Sequence, residues 1–207
     1  MPPSESFSDR DSWEQRWKQA LREHGDAVAQ RPPSPYLSEL ADLLPGRALD
    51  AGCGHGAESV RLADEGWRVT AVDFSSAALD RARTTAAATG VTDRIDWVEG
   101  DLGVWTPEPA AYDLVLCLYV HVAGSVVEAV QRLAGGVAPG GTLFLAGHQP
   151  VDPATGEPTP AAGQNQANLG DALSSLDPDV WEIAIAEERR RPSGGGVDAV
   201  VRASRVG

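Results

Sequence analysis

The sequence contains little cysteine and few basic residues, and each shortage excludes a class of protein. Two cysteines among 207 residues are too few for a disulfide framework, and their spacing fits no zinc module. Lys and Arg number 17 against 30 Asp and Glu, so the net charge of −13 disfavours nucleic acid and anionic membranes as partners. No apolar run reaches the length of a membrane span, and the polar start lacks a signal-peptide pattern. We expect a cytoplasmic protein with reduced thiols.

Apolar strand-like segments alternate five times with helix-like segments, which predicts one α/β domain with an open, mainly parallel sheet. The predicted strands are Arg47–Asp50, Trp67–Asp73, Arg94–Glu99, Tyr112–Val120 and Thr142–Ala146, the last one preceded by a tight turn at 138–141. Helices are expected at 36–44, 57–65, 76–88, from Ser125 onward and at 171–176. A C-terminal antiparallel hairpin is expected from 180–190 and 197–203, joined by a glycine-rich turn.

Three segments outside this pattern complete the expected organisation. Residues 1–11 form a tail without regular structure, and 12–207 form a single domain. The part at 12–46 is a helical cap whose Trp13, Trp17 and Leu21 share one face, which either packs on the domain or covers a ligand. The stretch 147–170 is polar and lacks periodicity, so it is expected to be a functional loop or lid.

The central feature is a glycine loop that follows the first predicted strand. In LDAGCGHG, residues 49–56, an acidic residue precedes three glycines at alternate positions, and a helix follows. Glycine permits unusual backbone angles and lets a ligand touch the main chain. A strand, a glycine loop and a helix start are typical of nucleotide-binding Rossmann-like sheets. The glycine pattern alone also fits a dinucleotide site.

Acidic residues at the ends of neighbouring strands separate the candidate ligands. Asp73 can accept hydrogen bonds from a ribose diol, which both NAD and S-adenosylmethionine carry. Asp101 can accept a hydrogen bond from an adenine amino group, while the backbone N–H of Leu102 can donate one to a ring nitrogen of the adenine. Asp50 would be repelled by a pyrophosphate but favoured by a sulfonium and an ammonium group. These residues favour S-adenosylmethionine over NAD.

Five motifs in order resemble those of class I S-adenosylmethionine-dependent methyltransferases. They are LDAGCGHG at 49–56, AVDFS at 71–75, EGDL at 99–102, YDLV at 112–115 and PGGTL at 139–143. The resemblance implies a Rossmann-like, seven-stranded sheet with helices on both faces and the last strand antiparallel. Within this family, the chain is most similar to small bacterial enzymes of the tellurite-resistance and thiopurine methyltransferase type. This similarity rests on its small size, its Trp-bearing N-terminal segment and the lack of an inserted substrate domain.

The resemblance also implies which residues contact the cofactor. Gly52, Cys53 and Gly54 would hold the methionine part, Asp73 the ribose, and Phe74 the face of the adenine. Asp101 would accept from the adenine amino group, and Cys117 would contribute its backbone. The expected product of the cofactor is S-adenosylhomocysteine.

Methyl transfer needs a base only when the acceptor carries a proton that must leave. His121 and His148 follow strands four and five, and Tyr119 competes with His121 for the same place, so these three are the catalytic candidates. His24 is expected on the surface, and the His55 side chain is expected to point outward. We expect no metal, because no acidic pair follows strand four.

The acceptor is expected to be a small molecule. A short Asn/Asp-Pro-Pro-aromatic motif, typical of enzymes that methylate nucleic-acid amines, is absent after strand four. Monomer and homodimer both remain possible. The alternatives are an NAD-type Rossmann oxidoreductase and a cofactor-binding protein without turnover.

Overall fold

The computed structural model describes residues 14–15, 18–19, 22–23, 31–191 and 196–207. The predicted 1–11 tail, the helical face of Trp13, Trp17 and Leu21, and His24 lie outside the described residues.

The described chain is built on one seven-stranded sheet with the strand order β3-β2-β1-β4-β5-β7-β6. Its strands are β1 (Arg47–Ala51), β2 (Arg68–Asp73), β3 (Ile95–Glu99), β4 (Tyr112–Leu118), β5 (Val137–His148), β6 (Trp181–Arg190) and β7 (Val197–Arg205). Strands β1 to β5 pair in parallel, whereas β7 is antiparallel to both β5 and β6. The predicted sheet and C-terminal hairpin are confirmed.

Helices follow β1, β2, β4 and β5 along the chain and cover both faces of the sheet. They are α1 (Ala57–Asp64), α2 (Ser76–Thr89), α3 (Val126–Ala134) and α4 (Leu169–Ser174), with short 3-10 helices at Pro35–Leu40 and Thr92–Arg94. Ser75 and Ser125 cap α2 and α3 as predicted, because each hydroxyl accepts a backbone N–H of the first turn. Among the described residues, no helix is both long and apolar enough to cross a membrane.

Alternate residues of each strand point to opposite faces and form two core clusters. Val115 and Leu143 pack on the face covered by α3. Leu116 and Phe144, their direct neighbours in sequence, pack on the face covered by α1 and α2. All four are fully buried, which fixes the register of the central strands and therefore the positions of the residues at their ends.

Two local predictions are wrong. The helix expected at 36–44 is only a 3-10 turn at Pro35–Leu40, because the apolar spacing continues past residues that the domain does not cover: Leu44 is 86% exposed. The tight turn at 138–141 is instead a bulge inside β5, which begins at Val137 rather than Thr142. Gly140, with φ +77°, allows this bulge while pairing with β4 continues on both sides.

Candidate functional site

A cavity lies at the carboxyl edge of the sheet, where four consecutive strands end. It is lined by Gly52, Gly54, Asp73, Phe74, Asp101, Leu102, Tyr119, Val120 and His121. Each pair or triplet follows one of the strands β1 to β4. Ligands of open α/β sheets bind at this edge, so the cavity is the candidate site.

The glycine loop is fixed to β2 by its backbone. The N–H groups of Gly52 and Cys53 both donate to the carbonyl of Val72, at 2.8 and 3.0 Å. Gly52 has φ +81°, and a Cβ there would collide with the side chain of Val120, which lines the cavity. Glycine is therefore required where the loop passes the cavity, both for its backbone angle and for the space it leaves.

Asp73 joins the first two loops of the cavity. One carboxylate oxygen accepts the Gly54 N–H and the other accepts the Ser75 N–H, each at 2.9 Å. Burial raises the pKa of Asp73, although these N–H groups act in the opposite direction. A carboxylate has about four lone-pair sites, so Asp73 can accept further hydrogen bonds from a ligand, and its contact with a ribose stays a prediction.

Asp101 and Leu102 form the wall that follows β3. The Asp101 carboxylate accepts the Gly103 N–H at 2.8 Å, which holds the side chain in place beside the cavity. The Leu102 carbonyl accepts a hydrogen bond from Arg132 of α3 at 3.1 Å. Phe74, which follows β2, also lines the cavity, and its stacking on adenine stays a prediction.

Three predicted cofactor residues lie outside the cavity lining. Asp50 is buried and accepts a 2.5 Å hydrogen bond from Ser59 of α1. Burial, with the nearby Glu58 carboxylate, raises the pKa of Asp50 to about 7. Cys53 and Cys117 are buried on opposite faces of the sheet. The roles of Asp50, Cys53 and Cys117 toward the cofactor stay predictions. Because these residues lie outside the cavity lining, they would act through their backbone or without direct contact.

Both cysteines are free thiols with little reactivity. Burial raises the pKa of Cys53 well above its usual value and that of Cys117 to about 12. A thiol that stays protonated is a poor nucleophile, so these residues act as small apolar groups.

Tyr119 lines the cavity with an unusual backbone. Its φ is +57°, a left-handed conformation that costs a non-glycine residue on the order of 1–3 kcal/mol. Its hydroxyl donates to Asp198 at 2.9 Å, and its ring centroid lies 4.6 Å from that of His148. Burial and the Asp198 charge raise the pKa of Tyr119, so its hydroxyl stays protonated and acts as a donor.

His148 and His121 have different surroundings. His148 ends β5, and its Nδ1 lies 2.8 Å from a carboxylate oxygen of Asp198. His121 lines the cavity, but its Nε2 lies 3.1 Å from the amide oxygen of Gln164 and 3.3 Å from the amide nitrogen of Gln166. His148 is therefore oriented by a carboxylate, whereas these hydrogen bonds of His121 come from side-chain amides.

Asp198 was not predicted from the sequence, although it connects several side chains at this edge. It is 1% exposed, lies near the start of β7, and also accepts the Tyr36 hydroxyl at 3.1 Å. Because β7 is antiparallel, its amino end rather than its carboxyl end reaches the ligand edge. A search of the first residues of the antiparallel strand would have found this carboxylate.

The prediction for His55 is wrong. Its ring is buried rather than directed outward, and burial lowers the pKa of the imidazole. The loop between Gly54, at φ +52°, and Gly56, at φ +82°, turns the side chain inward. His55 contributes to a separate cavity beside α1, together with Arg31 and Pro33.

The irregular segment 149–168, within the predicted 147–170 loop, lies across the ends of β4 and β5. The Asn165 side chain donates to the carbonyls of Val122 and Gly124, at 2.6 and 2.8 Å. Gln166 is buried and accepts the His148 N–H at 3.0 Å. The segment therefore contacts the ends of β4 and β5, and its action as a functional loop or lid stays a prediction. Within the described ranges, no group of three or more His, Cys, Asp or Glu side chains is arranged to hold a metal ion.

Comparisons with known proteins agree with this arrangement. Residues 48–141 match the sequence model of a family described as "Methyltransferase domain". The matched segment runs from β1 into the β5 bulge and carries Gly52, Asp73 and Asp101. Trans-aconitate 2-methyltransferase of Streptomyces coelicolor is 34% identical over 132 residues, which cover 61% of this chain and 43% of that protein. The chain spans about half the length of the curated relatives it matches.

Solved structures share the fold over nearly the whole chain. N-methyltransferase NodS of Bradyrhizobium japonicum, in complex with S-adenosylhomocysteine, has a TM-score of 0.70 at 18% identity and covers 93% of this chain and 97% of its own. The [4+2]-cyclase SpnF has a TM-score of 0.72 at 17% identity, with coverage of 94% and 97%. The fold is therefore the Rossmann-like fold of class I methyltransferases.

Proposed function

We propose that this chain is an S-adenosylmethionine-dependent methyltransferase that acts on a small-molecule acceptor by in-line methyl transfer. The observation that carries the proposal is the cavity at the carboxyl edge, which combines a glycine loop with the carboxylates Asp73 and Asp101. The match of residues 48–141 to a methyltransferase domain supports it.

The residues present fit the cofactor. Gly52 lets the loop backbone pass the cavity wall at Val120, where a Cβ would collide, and the Asp73 carboxylate lines the cavity with oxygens that can accept from a ribose diol. When bound, S-adenosylmethionine supplies a methyl group that its sulfonium already activates. The task of the chain is therefore to orient the acceptor and exclude water. Tyr119 and His121 line the cavity, and His148 lies beside Tyr119, so all three remain the proposed catalytic residues.

The alternatives receive less support. An NAD-type oxidoreductase gives no role to Asp101 at the adenine and puts buried Asp50 behind a pyrophosphate. A cofactor-binding protein without methyl transfer stays a second candidate, because a [4+2]-cyclase shares the fold. The narrower likeness to tellurite-resistance and thiopurine enzymes, the cytoplasmic location and the oligomeric state stay predictions from the sequence.

Titration calorimetry with S-adenosylhomocysteine tests the cofactor assignment. We expect wild-type protein to bind it and Asp73→Ala to bind roughly 10- to 150-fold more weakly, since a charge-assisted acceptor contributes about 1.5–3 kcal/mol. Asp73→Asn keeps one backbone contact and should lose less. Asp96→Asn, which removes an exposed carboxylate from β3, is the matched control. Unchanged affinity in Asp73→Ala, with the protein still folded, would contradict the assignment.

A further inference from the structure

We propose that His148 and Asp198 form a proton-accepting dyad, and that the acceptor is a neutral molecule methylated on a hydroxyl oxygen. This inference rests on the proposed function and adds to it a substrate class and a positioning residue. Asp198 acts through His148, whereas His148 contacts the acceptor.

The tautomer of His148 follows from its partner. Asp198 is 1% exposed, and its carboxylate lies 2.8 Å from Nδ1 of His148. An ionised carboxylate only accepts hydrogen bonds, so Nδ1 carries a proton and, in the neutral ring, Nε2 presents a lone pair. Among the described residues, no hydrogen bond involves the His148 Nε2, and 22% of the His148 side chain is exposed. Nε2 is therefore available to a ligand.

Asp198 is held as a carboxylate by donors from separate parts of the chain. One oxygen accepts the hydroxyls of Tyr36 and Tyr119, at 3.1 and 2.9 Å. The other lies 2.8 Å from His148 and forms an ion pair with Arg191 at 3.4 Å. Burial alone raises the pKa of Asp198, but the hydrogen bonds from His148 and Tyr119 outweigh it and keep the pKa low.

The dyad lies next to the proposed cofactor cavity. Tyr119 lines that cavity, and its ring lies 4.6 Å from the ring of His148. An acceptor beside Tyr119 can therefore reach both the cavity and His148. His121 differs, because the side-chain amides of Gln164 and Gln166 already occupy its Nε2.

A base of this kind suits a hydroxyl more than a carboxylate or a neutral amine. A neutral hydroxyl is a weak nucleophile until its proton leaves, whereas a carboxylate is already ionised and a neutral amine is already nucleophilic. In the reaction, a bond forms between the acceptor oxygen and the methyl carbon as the carbon–sulfur bond breaks. The bonding electrons go to sulfur and the hydroxyl proton goes to His148 Nε2. The resulting imidazolium is paired with Asp198.

Nitrogen NMR of uniformly ¹⁵N-labelled protein tests the dyad without any acceptor. At about pH 8.5, we expect the His148 ring to be protonated at Nδ1 and bare at Nε2, with His148→Gln used to assign its signals. Asp198→Asn should change this tautomer population. Asp42→Asn is the control, because it removes an exposed carboxylate that pairs with Arg202, which lies in β7 as Asp198 does. Protonation at Nε2 in the wild type would overturn the proposal.

A panel of simple acceptors tests the substrate class by formation of S-adenosylhomocysteine, measured by mass spectrometry. We expect turnover with phenol, catechol and 4-nitrophenol, and none with benzoate or aniline. His148→Gln and Asp198→Asn should lower kcat for phenol roughly 10²- to 10⁴-fold. The rate for 4-nitrophenol, largely ionised at about pH 8.5, should fall much less.

The outcomes separate the two proposals. No turnover with any hydroxyl acceptor, turnover with benzoate or aniline alone, or equal losses for phenol and 4-nitrophenol would each overturn the dyad. Failure to bind S-adenosylhomocysteine would instead overturn the proposed function.

Discussion

The ligand edge has two parts that are built in different ways. We call the loops after β1 and β2, proposed to hold the methyl donor, the donor side. The group of Tyr119, His148 and Asp198, proposed to hold the methyl acceptor, is the acceptor side. On the donor side, the loops after β1 and β2 are joined through Asp73, whose backbone partners lie 19 and 2 residues away. On the acceptor side, Asp198 binds side chains that are distant in the sequence, such as that of Tyr36, which lies 162 residues from Asp198. A site made from short strand–loop–helix motifs can therefore be read from local sequence, whereas one made from distant side chains depends on the topology of the sheet.

The two sides also differ in how their buried acids are compensated. Asp198 is surrounded by hydrogen-bond donors, whereas Asp50, among the residues that the structure describes, accepts a side-chain hydrogen bond from Ser59 alone and lies near Glu58 and Asp73. Burial first, and these charges second, raise the pKa of Asp50 to about 7. The folded state then keeps the Asp50 proton, which the unfolded state loses near pH 4. The contribution of protonated Asp50 to the free energy of unfolding is therefore fully present below about pH 4 and is lost as the pH rises to about 7.

The largest predicted effect is therefore on stability at the donor side. We expect Asp50→Asn, which keeps a partner for Ser59, to gain stability relative to wild type as pH rises from about 4 to 7. The total change is on the order of 4 kcal/mol, as linkage requires for a shift of about three pKa units. Urea unfolding at several pH values measures it, with Asp96→Asn as control. If the difference in free energy of unfolding between Asp50→Asn and wild type did not vary with pH, burial would not raise the pKa of Asp50.

A smaller effect separates the role of the loop in binding from its role in folding. Gly52 and Gly56 have nearly the same φ, +81° and +82°, so alanine at either position costs about 1–2 kcal/mol in backbone strain. A Cβ at Gly52 meets Val120 of the cavity wall, whereas at Gly56 it meets Ala82 at 2.7 Å and Trp97 at 2.8 Å. Calorimetry should show weaker S-adenosylhomocysteine binding only for Gly52→Ala, while thermal melting should show both variants destabilised. Equal affinities in the two variants would place the ligand away from Gly52.

The same contrast explains how much could be predicted from sequence. The sheet, the hairpin and the cavity positions of Gly52, Asp73 and Asp101 follow from motifs in which one strand leads directly into its loop. The β5 bulge and the short 3-10 helix at Pro35–Leu40 differ from prediction because pairing and coverage by the rest of the domain decide them. Asp198 was missed because only an antiparallel β7, placed between β5 and β6, brings its amino end to the ligand edge.

The most direct test of the two-sided account is the affinity of Asp198→Asn for S-adenosylhomocysteine. We expect wild-type affinity in calorimetry, since Asp198 lies outside the cavity lining, so that of these two variants only Asp73→Ala should lose affinity. A loss in Asp198→Asn as large as that in Asp73→Ala would contradict the division of this edge into a donor side and an acceptor side.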